Sequence, residues 1–363
     1  MKILFAGLKY DYGVIERGVS LESKTFVPSL NSNASQFLTF WFEENGFPDR
    51  IELLQKNLID FAIVNCPDII FFVLMNNEVS ITTLNKLKEK FITINWFCDD
   101  TWRFHSFSKF IAPHFTYSIT NDKFSLNKYK TIGYKNVILS QWASIDYDNT
   151  LSLKNIEYKY DITFVGGKNP TREWIINELS KNDLKVECFG TGWENGRVSF
   201  SQMKDIFLHS KINLNLSNSV PSQLSFLKYL IKGFFLSFFS IKTNKNLAEY
   251  LNNIKLYLQG IKFYFFAAKT SEQLKARNFE IPGFGGFQLS QYTLELEDYF
   301  SIGNEIAIFS NTSELIQQCK YYLENSEIRE SICFNGYRRT EFHNYNDRIK
   351  SILNHINSNN QFS

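Results

Sequence analysis

The feature that most constrains this chain is an alternation that runs through it twice. Short apolar runs that end in glycine or polar residues are followed by stretches with helical spacing. In the first pass the runs are residues 2–6, stopping at Gly7, then 68–74, 91–97, 115–120 and 137–139. A continuous apolar run reads as a parallel strand covered on both faces. Residues 82–91 are amphipathic and Lys-rich, and 35–44 carry apolar residues at helical spacing before Asn45-Gly46, so both read as helices. After a polar stretch, 146–160, the pattern restarts. Strands are expected at 160–165, 185–189, 212–216, 287–289 and 306–309, and helices at 171–182, 201–209, around Glu280, 313–324 and 327–343. Such alternation specifies open, doubly wound parallel sheets, whose ligands bind beyond the carboxyl ends of the strands.

A length of 363 residues leaves room for two such sheets. The expected fold class is α/β, with two Rossmann-like domains facing a cleft: 1–145, then 146–345, then a final helix and tail over 346–363. One segment breaks the pattern. Residues 219–270 hold two dense aromatic stretches, 226–241 and 254–268. They read as a helical insertion in the second domain, packed on its body; the competing reading is peripheral contact with anionic lipid through 226–268. No apolar run reaches the ~18 residues that a membrane-spanning helix needs.

Composition removes whole function classes. Lys and Arg number 39 against 37 Asp and Glu, so a generally basic nucleic-acid binder is excluded. A 44% hydrophobic and 17% aromatic content excludes intrinsic disorder. Five scattered cysteines, none in a C-x-x-C pair, argue against a disulfide framework or a structural zinc and for a reducing cytosol. Five histidines without an H-E-x-x-H pattern give no metal site. The first residues are too short an apolar run for a signal peptide.

Candidate chemistry sits at the strand ends. Gly166-Gly167-Lys168, followed by Arg172, allows close backbone approach to a phosphate whose charge helix amides and two cations offset; an ordinary turn with solvated cations reads equally well. Gly190-Thr191-Gly192-Trp193 is a similar turn ending in a Trp that lines a pocket or simply packs. Neither is G-x-G-x-x-G, so a conventional NAD site lacks support. Glu272 and Glu280 stand eight apart, with Arg277 between them and Pro282, Gly283, Gly285 and Gly286 following. A Glu near a helix start can accept from both ribose hydroxyls, with the glycines admitting phosphates; the plain alternative is an exposed Arg277–Glu280 pair. In the first half, Asp99-Asp100-Thr101-Trp102-Arg103 follows a strand, where acids accept from sugar hydroxyls and a Trp stacks on the ring, or where an Asp merely caps a helix. Tyr12, Gly13 and Arg17 follow the first strand.

These residues resemble the CgeB-like, spore-maturation-type glycosyltransferases. The likeness rests on Arg277-Asn278-Phe279-Glu280-Ile281-Pro282, Gly285-Gly286, Glu295-Leu296 with Tyr299-Phe300, and Gly303-Asn304-Glu305. It continues through Phe164-Val165-Gly166 and Asn213-Leu214-Asn215-Leu216-Ser217. In the first half it includes Tyr12-Gly13, Arg17-Gly18, Asp99 to Arg103 and Ser140-Gln141-Trp142-Ala143, so it covers most of the chain outside 219–270. The resemblance implies a GT-B fold, with a nucleotide sugar held mainly by the second domain. Glu280 then takes the donor ribose, Gly285 and Gly286 lie near the diphosphate, and Lys168 and Arg172 neutralise it. Gly190, Gly192 and Trp193 adjoin the base, Glu272 the sugar, and Ser217 belongs to the same donor site. Tyr12, Gly13, Arg17, Trp102, Arg103 and Trp142 fall on the acceptor side. A His that related enzymes carry in the first domain has no counterpart here, which leaves retention or inversion open; for inversion, Asp100 and then Asp99 are the expected bases.

The expected function is transfer of a sugar from a nucleotide-diphosphate donor to a bacterial surface glycan, lipid-linked glycan or protein. No metal or other cofactor is expected, because Asp99-Asp100 lacks the D-x-D spacing and the resemblance implies a GT-B enzyme, which stabilises the leaving group with cations and helix dipoles. The expected place is the cytosol, peripheral on the inner membrane face if 226–268 meets lipid. The alternatives are a catalytically inactive GT-B-like module that binds a glycan or partner, and a sugar-nucleotide epimerase.

Overall fold

A computed structural model describes residues 1–145, 151, 153, 155–216, 224–239, 247–266 and 272–360. The chain forms two compact units: Met1–Tyr147 with Phe342–Ser363, and Asp148–Glu341.

Unit 1 is built on six parallel strands: β1 (Lys2–Gly7), β2 (Gln36–Trp41), β3 (Ile69–Phe72), β4 (Ile92–Phe97), β5 (Tyr117–Thr120) and β6 (Val137–Leu139). Their order is β2-β1-β3-β4-β5-β6. Each residue of β3 is buried, as its unbroken Ile-Ile-Phe-Phe run requires. The helices are α1 (Leu21–Ser32), α2 (Ile51–Asn65), α3 (Ile81–Lys88), α4 (Asp100–Arg103), α5 (Lys109–Ile111) and α6 (Ser125–Thr131). Residues 35–44, read from sequence as a helix, instead supply β2, which pairs with β1 in the register Leu4↔Leu38. Apolar residues at 37, 38, 40 and 41 fit either period over so short a run.

Unit 2 has five parallel strands: β7 (Tyr160–Val165), β8 (Glu187–Phe189), β9 (Ser210–Asn215), β10 (Gln288–Gln291) and β11 (Ala307–Phe309), ordered β11-β10-β9-β7-β8. Its helices are α7 (Pro170–Ser180), α8 (Phe200–Leu208), α9 (Leu224–Phe239), α10 (Leu247–Phe266), α11 (Arg277–Gly283), α12 (Thr312–Glu324) and α13 (Ser326–Arg339). The chain ends in α14 (Tyr345–Asn360), which joins unit 1. There Tyr345 meets Phe26 of α1 edge-on at 5.3 Å.

In both sheets the strand order reverses beside the first strand. In unit 1 the first and third strands, β1 and β3, are neighbours; in unit 2 they are β7 and β9. Chain connections leave in opposite directions there, which opens a crevice at the carboxyl ends of that pair. The predicted phosphate loop follows β7 and the predicted acceptor-side residues Tyr12, Gly13 and Arg17 follow β1, whereas Asp99–Arg103 follows β4, one strand beyond the reversal pair.

Helix α11 is held to the sheet by buried polar groups. Seven residues are too few for a helix to persist unaided. Asn278 Nδ2 donates to Ser290 Oγ on β10 at 3.2 Å, and Asn215 Nδ2 on β9 donates to the same oxygen at 3.2 Å. Asn278 Oδ1 accepts from Lys275 N at 3.0 Å. Pro282 lies in the last turn and has no N–H for the Asn278 carbonyl; Gln288 Nε2 lies 3.4 Å from that carbonyl instead. Asn278→Ala is expected to lower unfolding free energy by about 1–3 kcal/mol, since it strips a partner from a buried hydroxyl. Urea denaturation measures this; a change below about 0.5 kcal/mol, the scale of an ordinary surface substitution, would show that the network does not hold α11.

Candidate functional site

In unit 2 the crevice begins at the turn after β7. Gly166 N donates to Phe189 O at 2.8 Å and Lys168 N to Thr191 O at 2.8 Å, so the turns after β7 and β8 are stitched together. Gly190 has φ 130°, and a Cβ there would fall 2.3 Å from Gly166 O; only glycine fits. Trp193 packs rather than projects freely: its Nε1 donates to Gly166 O at 2.9 Å and its ring lies edge-on to Phe164. Gly192, at φ 88°, sits against Lys168 Cβ. Gly167 is exposed, with nothing within 4 Å of the place a Cβ would occupy. Asn169 caps α7 by accepting from Arg172 N at 2.9 Å, and Pro170 takes the first helical position.

Arg172 crosses the reversal point. Its Nη1 donates to Gly167 O at 2.7 Å, and its Nε and Nη2 donate to Leu216 O at 3.0 and 2.7 Å. The guanidinium thereby ties the end of β7 to the end of β9. Burial lowers its pKa to about 10, opposed by Glu272 and abetted by Arg277. Those two causes show that Glu272 and Arg277 lie within electrostatic reach of it.

Arg277 and Glu280 occupy the first turn of α11. This helix leads into β10, which is parallel to β9, so its N-terminus lies at the carboxyl end of the sheet. Arg277 Nη1 donates to Glu280 Oε2 at 2.6 Å and also touches the Met203 sulfur; its guanidinium lies over the Phe207 ring. Glu280 is 4% exposed and Arg277 covers it. Lys168 is paired with Glu173 at 2.8 Å and lies over Trp193. The stretch 198–200 forms the start of α8, where Ser199 and Gln202 make a reciprocal capping box. The structure therefore brings together Gly166, Gly167, Lys168, Arg172, Gly190, Gly192, Trp193, Glu272, Arg277 and Glu280. Ser217 lies outside the described residues.

Gly285 and Gly286 do not join them. They follow the C-terminus of α11, at the opposite edge of the sheet, and both are buried. A Cβ on Gly286 would fall 2.7 Å from Asn213 Nδ2, and one on Gly285 would strike Leu153. They permit close packing, not phosphate approach.

In unit 1 a cavity of about 190 Å³ lies at the β1/β3 reversal, lined by Phe5, Asp11, Tyr12, Glu22, Val73 and Met75 among others. The loop after β1 is held by Glu43, whose carboxylate accepts from Lys9 N and Tyr10 N, each at 3.0 Å. Tyr12 is 64% exposed, with Arg17 over its ring at 5.3 Å and the Asp99 and Asp11 carboxylates within electrostatic reach. Gly13, at φ 74°, lies against Phe47. The loop after β3 is held by Arg103, which donates to Met75 O at 2.5 Å and Asn76 Oδ1 at 3.1 Å, and by buried Glu78, which accepts from Asn76 N. Arg103 also lies over Trp102 and Phe107. Glu22 is the residue that sequence patterns missed. It follows the α1 cap Ser20, and burial pushes its carboxyl upward.

Two expectations are corrected. Trp142 is 5% exposed and packs on Trp96 and Phe26, so it belongs to the core and not to an acceptor face. Asp100 is 0% exposed. Its Oδ2 accepts from Tyr129 Oη at 2.7 Å, and burial pushes its carboxyl upward. A carboxyl without access to solvent does not deprotonate a bound hydroxyl. Asp99, one residue earlier, is half-buried at the strand end.

The sign of the Asp100 shift sets a test. The folded state holds this proton above its ordinary value of 3.8, so the folded state binds more protons than the unfolded one as pH rises past that value. Stability then falls with rising pH until the buried carboxyl ionises. Asp100→Asn should remove that slope and raise stability at pH 7 by on the order of 1 kcal/mol. Urea unfolding at pH 4 and 7 measures both; a destabilised variant with an unchanged slope contradicts the assignment.

Comparison with known proteins adds three findings. Residues 240–354, less than half of the chain, match a glycosyl transferase-like family model. No curated protein matches the chain. Solved structures match over nearly the whole length. One is sucrose-phosphate synthase from Thermosynechococcus elongatus, with TM-score 0.56 and 10% identity, covering 100% of each chain. Another is the lipopolysaccharide outer core galactosyltransferase WaaB, with TM-score 0.55 and 12% identity, covering 97% of this chain and 99% of that one. A third is Anabaena HepE in complex with UDP and glucose, with TM-score 0.53 and 12% identity, covering 99% and 100%. At these identities the likeness establishes the fold, which is GT-B.

Proposed function

We propose that the protein is a glycosyltransferase whose second unit binds a nucleotide-diphosphate sugar. The observation that carries this is the convergence of Lys168, Arg277, Glu272 and Glu280 on the β7/β9 reversal point that Arg172 closes. The match over 240–354 includes Arg277 and Glu280, and the HepE structure holds UDP with glucose. The motif from Arg277 to Glu305 favours the CgeB-like branch of such enzymes.

Two cations at this site each face a carboxylate, Lys168 that of Glu173 and Arg277 that of Glu280. An arriving diphosphate competes for Lys168 and Arg277 with its own charge and acceptor oxygens. Drawing Arg277 off Glu280 uncovers a carboxylate that accepts from both ribose hydroxyls. Arg172 keeps its carbonyl partners and lends only its field. The leaving diphosphate is then stabilised by fixed cations, without a metal. Inversion needs a base on the acceptor side, and Glu22 is the group placed for it, with Asp11 and Tyr12 lining the same cavity. The proposed acceptor is a bacterial surface glycan, lipid-linked glycan or protein, and the proposed place is the cytosol. The burial of Asp100 gives some weight to the second reading, a GT-B module that binds without catalysis.

Calorimetric titration with UDP, GDP, dTDP and CMP decides the first step. One nucleotide is expected to bind, and Glu280→Ala should weaken it about tenfold or more, roughly 1.4 kcal/mol. Absence of binding by all four ends the donor-site reading. With the bound donor in a transfer assay, Glu22→Gln should lower kcat by about a hundredfold. Unaltered turnover in that variant would remove Glu22 from the mechanism.

A further inference from the structure

Helices α9 and α10 form a hairpin between β9 and α11 that neither the donor site nor the sheet requires. They pack closely at two glycines: a Cβ on Gly233 would fall 2.2 Å from the Tyr257 ring, and one on Gly260 would fall 2.6 Å from Leu230. The base of the hairpin is anchored in unit 2, where Phe226 is fully buried against Trp174 and Tyr264. Both helices thus spend one apolar face on each other and on the body.

Among the described residues, nothing covers a second apolar face on each. On α9, Lys228, Ile231, Lys232, Phe235 and Leu236 are all exposed and follow the i, i+3, i+4, i+7, i+8 spacing of one stripe. Phe235 is 52% and Leu236 61% exposed. On α10, Leu251, Leu258 and Phe265 recur every seven residues and are exposed, with Lys255 and Lys262 between them and Phe266 alongside at 78%. A helix that is apolar nearly all round is normally covered by something. Residues 224–266 contain six lysines and a single acidic residue, Glu249. A second copy of this hairpin would set lysines against lysines. Among the described residues no helix is long and apolar enough to cross a membrane.

We infer that the α9–α10 hairpin seats the protein on an anionic lipid surface. The apolar side chains enter the interface between headgroups and acyl chains, and the interleaved lysines meet the lipid phosphates. The lysine stems reach along the apolar face while the ammonium groups stay among the headgroups.

Co-sedimentation of the full chain with vesicles tests this. The protein should pellet with phosphatidylcholine vesicles that contain phosphatidylglycerol, should stay in solution with phosphatidylcholine alone, and should be released by raised salt. Lys228→Glu with Lys232→Glu, at exposed positions that leave the fold intact, should lower partitioning at least about tenfold. Phe235→Ser with Leu236→Ser should do the same while its near-UV circular dichroism stays unchanged. Failure of the wild-type chain to pellet with anionic vesicles overturns the inference. So does a dimer in analytical ultracentrifugation that the same substitutions dissociate, for then a second copy covers the stripe. Nucleotide binding is read separately, so a failed donor site and a failed lipid surface remain distinguishable.

Discussion

Arg172 donates to Leu216 O and Gly167 O, across the point where the strand order of unit 2 reverses. Two strands whose connections diverge leave their terminal carbonyls without strand partners, and a half-buried guanidinium supplies donors in a rigid fork. Its charge is then fixed beneath the crevice and is felt by Glu272 and Arg277. Burial costs it part of its basicity, yet at about 10 it stays protonated at neutral pH. The rest of the candidate site is arranged above this strut. The Gly190 turn is pressed onto Gly166, Trp193 locks the same carbonyl, and α11 brings in the Arg277–Glu280 pair.

Helix α11 also shows how a short element aims a functional pair. Its first turn carries Arg277 and Glu280, while Asn278, one residue after Arg277, points into the sheet and shares Ser290 with Asn215. In an α-helix neighbouring residues diverge by about 100°, so one side chain can anchor while the next is presented. Asn215 is buried on β9 for this reason, while Asn213, also buried, donates to Phe207 O and Phe287 O.

The same divergence separates Asp99 from Asp100. Adjacent in sequence, they read as paired acids at a strand end. The backbone turns into α4 there, and one carboxyl stays at the edge while the other is carried under α6 to Tyr129. Helix direction carries Gly285 and Gly286 away from the site: seven residues at 1.5 Å each put the two ends of α11 roughly 10 Å apart, at opposite edges of the sheet. Trp142 faces Trp96 because the chain crosses back over unit 1, toward the segment where Ser144 meets His343.

Read from residues alone, the chain already declared two parallel α/β sheets, because strands buried on both faces are mostly apolar: β3 is Ile-Ile-Phe-Phe throughout, and β4 and β7 interrupt their apolar residues only with buried Thr93, Asn95 and Thr163 and with exposed Asp161. It also declared the loops that carry chemistry, since glycine, proline and cap residues act through local backbone geometry. Folding settled the remaining questions, which depend on partners distant in the chain. Burial of Asp100, the carbonyl bonds of Arg172, the place of Glu22 at the β1/β3 reversal and the docking of α14 on α1 each join segments whose proximity no local period encodes.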